Sequence, residues 1–150
     1  MSKAGFDFIG ISTPFYCHDG KGNLLLHKRS NQCRDERGTW DCGGGRLNFN
    51  EDPDDGVLRE LNEEYGCTGI IQEKLHYYSI LRTHDGKPTH WIALPFIIQV
   101  NPSEVKNNEP EKISEIGWFK LSGLPSPLHK GFKFGLTKYC NKIEKYVSKS

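Results

Sequence analysis

No apolar run in this chain approaches the roughly 20 residues a helix needs to cross a membrane. The first residues, MSKAGFDFIG, lack the charged-then-apolar layout of a secretory signal. No membrane partner is expected, and the cytoplasm is the expected location. There is no C-x-x-C pair, and the five cysteines, Cys17, Cys33, Cys42, Cys67 and Cys140, are odd in number. That argues against a disulfide framework and a zinc site, and for free thiols in a reducing compartment. Charge of one sign is missing as well: the formal net charge is +1 at pH 7, which gives no footprint for a nucleic acid polymer. Repeats, low-complexity segments and interdomain linkers are absent. What remains is 150 residues, 26% charged and 35% hydrophobic, the composition of one globular domain with a sizeable core.

Against these absences, the stretch from Gly45 to Cys67, GRLNFNEDPDDGVLRELNEEYGC, is dense in acid. Asp54 and Asp55 are placed to cap a helix that begins just after Pro53 and runs to Tyr65. On such a helix Glu60, Glu63 and Glu64 share one face, because positions three and four apart are neighbours. Val57, Leu58, Leu61 and Tyr65 form an adjacent apolar stripe that anchors it to a core. Crowded carboxylates repel, so a positive partner belongs among them, and a cluster of hard oxygen ligands selects Mg²⁺ or Mn²⁺. Because Mg²⁺ typically joins carboxylates to substrate phosphates, the expected small-molecule substrate is a polyphosphate. Gly56 falls on the carboxylate side, where a missing side chain leaves room for metal or phosphate. Arg59 is placed to pair with Glu51 or Glu63 and hold the carboxylates in register. Ahead of the helix, Cys42-Gly43-Gly44-Gly45 lets the backbone approach a ligand closely.

Read as spacing, the stretch is G-x5-E-x7-R-E-L-x-E-E-x-G, filled by Gly45, Glu51, Arg59, Glu60, Leu61, Glu63, Glu64 and Gly66. It resembles the Nudix box, with Cys67 in place of the usual aliphatic residue. Gly38-Thr39-Trp40, Asn108-Glu109-Pro110-Glu111-Lys112, Trp118-Phe119 and Leu124-Pro125 extend the likeness towards MutT-type members that act on nucleoside triphosphates. The resemblance implies an α/β/α sandwich with a mixed central sheet. It implies metal held by Glu60, Glu63, Glu64 and the Gly44 carbonyl, and a further glutamate from the loop before the fifth strand as ligand or base. Glu109 is the first choice for that glutamate, then Glu111 and Glu115. Glu63, Glu60, Glu109 and Arg59 are thus the expected catalytic group. The implied reaction yields a nucleoside monophosphate and pyrophosphate, with an oxidised substrate such as 8-oxo-dGTP among those expected, and a homodimer is an open assembly.

Other substrates stay open: ADP-ribose, nucleotide sugars and dinucleoside polyphosphates. Pro88 lies too far beyond the box, and Tyr77 and Tyr78 too near it, to match the markers of the first and last. A non-catalytic nucleotide-binding domain is a further alternative, although every box glutamate is present. By residue type, Tyr16, Phe49, Trp91 and Phe119 are candidates to stack on a base. Lys28 and Arg29 are candidates to bind phosphate, and His84 and His90 to contact phosphate or base.

Hydrophobic patterning predicts strands over 6–17, 23–29, 70–82, 90–100 and 113–120. A hairpin turn lies at 18–22, and a polar loop over 30–38 is able to reach over a ligand. Pro95 marks an edge or bulge. A closing helix is predicted over 127–147, with Phe132, Leu136, Tyr139, Cys140, Ile143 and Val147 at three- and four-residue steps and Gly131 and Gly135 weakening its first turns.

Overall fold

The computed structural model describes residues 1–150. In chain order the elements are strands β1 (Gly10–Ser12), β2 (Phe15–His18), β3 (Leu24–Arg29) and β4 (Trp40–Asp41), helix α1 (Pro53–Tyr65), then strands β5 (Gly69–Lys74), β6 (Tyr78–His84), β7 (Lys87–Ala93) and β8 (Phe96–Val100). Strand β9 (Ile113–Phe119) and helices α2 (Lys130–Lys138) and α3 (Cys140–Ile143) follow. The larger sheet runs β4-β3-β2-β8-β5, with β9 also pairing with β3; the smaller runs β1-β7-β6. The larger sheet is mixed: β2 and β8 run parallel, whereas β5 pairs antiparallel with β8 and β9 with β3.

Side-chain alternation divides the core into two layers. Phe15, Cys17, Leu25 and Ile98 pack towards Val57, Leu61 and Tyr65 of α1. Their neighbours Tyr16, Leu24, Leu26 and Ile97 pack on the other face against Phe132, Tyr139 and Ile143. The expected α/β/α sandwich follows from these two layers. Cys67 is buried in the α1 layer, where it packs as a small hydrophobe.

Three of the predicted long strands are each divided in two. Residues 6–17 break at Thr13-Pro14, 70–82 at Leu75–Tyr77, and 90–100 at Leu94-Pro95, and in each case the chain passes between the sheets. Proline lacks the N–H that would continue a ladder, so the chain changes sheets at Pro14 and Pro95. The two crossings lie side by side: β1 pairs parallel with β7 and β2 with β8, with Leu94 N–H bonded to Ser12 O and Phe96 N–H to Pro14 O, both at 2.9 Å. The closing helix starts at Lys130 and breaks at Tyr139, whose φ of −112° and ψ of 19° interrupt the helical path. The cap of α1 also lies two residues before Asp54, the nearer of the expected caps: Asp52 accepts from Asp54 N–H at 2.9 Å, and Pro53 opens the helix.

Candidate active site

The glycine run hangs from the first crossing. Thr13 N–H donates to Gly45 O at 2.9 Å and Phe15 N–H to Gly43 O at 3.0 Å, while no hydrogen bond of the chain ends on the Gly44 carbonyl. Close packing demands the glycines: a Cβ on Gly43 would lie 2.1 Å from the Phe15 ring, and one on Gly45 2.0 Å from the Glu60 carboxyl carbon. Gly56 corrects its sequence reading. A Cβ there would meet Leu47 at 2.6 Å and Glu51 at 3.0 Å, so this glycine admits the loop before the helix and does not open a path for metal.

Around the run, Glu60, Glu63, Glu64, Glu109 and Gly44 line one open cavity of about 680 Å³, together with Arg29, Arg34 and Lys112. Glu64 is 6% exposed and its carboxylate accepts from Gly44 N–H at 3.1 Å. Burial pushes its carboxyl well above the usual carboxylate range, and the charges of Glu60 and Glu109 add to that. Glu60 is raised by burial and by Glu63 and Glu109, against the opposing pull of Arg59; Glu109 is raised by burial, Glu111 and Glu63.

Arg59 gathers the outer acids. Its Nε and Nη2 grip Glu51 at 2.7 and 3.0 Å, and its Nη1 reaches Glu60 at 2.9 Å and Glu63 at 3.2 Å. The fork holds the Glu51 carboxyl down to about 2. Glu51 therefore anchors Arg59, and Arg59 carries the bridging role expected of it. No three acidic, histidine or cysteine side chains converge on one point at ligating geometry. The donor set nonetheless suits a hard divalent cation, because carboxylates crowded around a free main-chain carbonyl repel one another until a cation enters.

A second cavity of about 300 Å³ adjoins the first and shares His27, Arg29, Gly44, Gly45 and Glu64 with it. Tyr16, Asp41, Tyr78 and His129 also line it. His129 caps α2: its Nδ1 accepts from Gly131 N–H at 3.0 Å, so the ring proton sits on Nε2, 2.9 Å from Glu36. Asp41 lies 3.7 Å from His129, and burial lifts its carboxyl to about 6. His27 bonds the Tyr65 hydroxyl at 2.5 Å and is lowered to about 4, by burial first and then by the positive charge of Arg29. A cavity of this size with ring faces and polar groups that both donate and accept suits a heterocyclic base.

The remaining sequence candidates scatter. Arg29 lines both cavities and pairs with Asp35 at 2.8 Å. Lys28 lines neither and sits in register with Trp40 and Glu115. Phe49 is fully exposed on its loop and lines neither, and Trp91 and His84 face a third cleft. Phe119 packs edge-on against Trp40, His90 is paired with Leu81 inside the small sheet, and neither Glu111 nor Glu115 reaches the glutamate cavity. Asp41, His27 and His129 were not singled out from the sequence. They come from three segments and no local spacing links them.

A NUDIX domain model matches residues 10–139. An RNA pyrophosphohydrolase of Gluconacetobacter diazotrophicus is 27% identical over 132 residues, covering 77% of this chain and 78% of that protein. An ADP-ribose pyrophosphatase of Methanocaldococcus jannaschii is 32% identical over 103 residues, covering 68% and 57%. Among solved structures, the MutT protein of Methanosarcina mazei superposes with a TM-score of 0.71 at 27% identity, covering 89% of this chain and 94% of that one. The chain belongs to the Nudix family, whose members commonly use Mg²⁺, and it is a pyrophosphohydrolase that cleaves phosphoric anhydride bonds of nucleotide-type substrates.

Proposed function

We propose that this enzyme hydrolyses a nucleoside triphosphate to the monophosphate and pyrophosphate, with Mg²⁺ or Mn²⁺ held by Glu60, Glu63, Glu64, Glu109 and the Gly44 carbonyl. The observation that carries the reading is the continuity of the glutamate cavity with a smaller pocket fit for a base. A divalent cation bound there would neutralise phosphate charge and lower the pKa of a water. The Glu109 carboxylate takes a proton from the attacking water. Oxygen adds in line to phosphorus as the anhydride P–O bond breaks, and its electrons leave on the departing phosphate. Arg59 positions Glu60 and Glu63 and does not touch substrate. His27 stays neutral at pH 7 and lines the join between pocket and cavity. Oxidised nucleotides such as 8-oxo-dGTP are one substrate class this site would take. The relative named RNA pyrophosphohydrolase supports a second reading, in which the triphosphate is the 5′ end of RNA. A homodimer and a cytoplasmic location belong to the same proposal.

The test is metal-dependent release of pyrophosphate from a panel of triphosphates. Glu63→Gln should lower kcat by about 10³-fold, as loss of a group that stabilises transition-state charge does. Glu63 is half-exposed, so the melting temperature should hold. Turnover by Glu63→Gln near the wild-type rate would remove the assignment.

A further inference from the structure

Beside the glutamate cavity, and sharing Gly45 with it, lies a third cleft, of about 450 Å³. Arg34, Arg46, Arg82 and His84 line it, with Trp91 among its apolar residues, and no acidic residue does. None of the three arginines makes a salt bridge, although the chain's other acidic clusters draw in cations such as Arg59, Lys142 and Lys145. Asp85 lies 3.4 Å from His84 at the hairpin turn and does not line the cleft. In a chain of net charge +1, three unpaired guanidinium groups around one concavity are a local excess. A guanidinium presents a rigid fork of donors that matches phosphate oxygens, and it gives up its hydration more readily than an ammonium.

The cleft is continuous with the site already described. Gly45, Arg34 and Arg46 line both the cleft and the glutamate cavity, and Ile80 and Arg82 line both the cleft and the base pocket. A polyphosphate chain lying over the glutamates therefore runs on past Arg46 without leaving the protein surface. Trp91 is fixed there: Gly10 packs on its ring so closely that a Cβ would fall 2.5 Å from it.

We propose that this arginine cleft is a second anion subsite, which takes a substrate phosphate lying beyond the anhydride under attack. Such a phosphate has two chemical sources, a longer polyphosphate chain or the phosphodiester to a following nucleotide. The inference deepens the proposed function and rests on it for the substrate, but not for the binding.

Binding is tested first, by titration calorimetry of the full chain with inorganic tripolyphosphate in EDTA, where the cation-free glutamates repel the ligand. The double variant Arg34→Gln/Arg82→Gln should bind at least about tenfold more weakly, since each charge-assisted hydrogen bond contributes that order of affinity. Raising the salt should weaken the wild type. No binding by the wild type, or equal binding by the variant, would overturn the cleft. Both side chains are exposed and unpaired, so an unchanged melting temperature certifies the fold. Turnover then separates the sources: kcat/KM for adenosine 5′-tetraphosphate and for a 5′-triphosphorylated dinucleotide, each relative to ATP. The double variant should lower whichever ratio depends on the cleft by about tenfold, and ratios unmoved for both would sink the proposal. Tripolyphosphate binding in an enzyme that turns over none of the three would leave the cleft standing and remove the proposed function instead.

Discussion

The two sheets share both proline crossings yet differ in cover. In the larger one, β2 and the first four residues of β3 are wholly buried, held between α1 on one face and α2 with α3 on the other. In the smaller one, every residue of β6 from Leu81 to His84 is exposed, and Leu81 is 69% accessible. The first sheet holds the reactive glutamates by packing and the second presents Arg82 to solvent. Rigidity and ligand-facing surface are therefore allotted to different parts of one molecule.

Three measurements would break or sharpen that contrast. The largest effect should come from Leu61→Ala, at a fully buried position between α1 and the large sheet. A loss of about 2–5 kcal/mol in urea unfolding is expected, and a loss under about 1 kcal/mol would mean the helix does not depend on that sheet. Next comes His27, buried and lowered to about 4. A base held neutral by burial contributes stability that is present above its unfolded pKa of about 6.5 and is lost as pH falls through about 4. The amount is up to about 3 kcal/mol. Asp41, raised to about 6, works the other way, its contribution fading as pH rises through that value. His27→Gln should thus flatten the fall in stability between about pH 6.5 and 4 relative to wild type, and parallel profiles would refute the account. The smallest effect is expected from Leu81→Ser on the exposed edge, within about 0.5 kcal/mol. A larger loss would show that the small sheet carries packing not seen in this chain alone.

The same contrast explains what could be read from sequence. Helix α1 was legible because its cap, its apolar stripe and its glutamates all recur at helical spacing within one segment, so Glu60, Glu63 and Glu64 were placed on one face correctly. The sheet crossings were not, because period-2 alternation carries on through them; at Pro95 the sequence suggested an edge or a bulge where the strand leaves for the other sheet. Gly56 was misread because helical spacing says which side a residue faces but not that Leu47 folds back onto it. The base pocket and the arginine cleft escaped notice for a related reason. Asp41, His27 and His129, like Arg34, Arg46 and Arg82, meet only in three dimensions.

The paired crossings also set the order in which the enzyme can come into being. Phe15, which carries Gly43, is in register with Phe96, so the frame of the glycine run closes only when two distant stretches of chain align in parallel. Such pairings meet their loop-closure entropy before they gain contacts, which makes them slow. A nascent chain that has emerged as far as Ala93 already contains every box residue but lacks β8, the strand that Phe15 needs beside it. Catalytic competence should therefore switch on late in synthesis, long after the signature itself has left the ribosome.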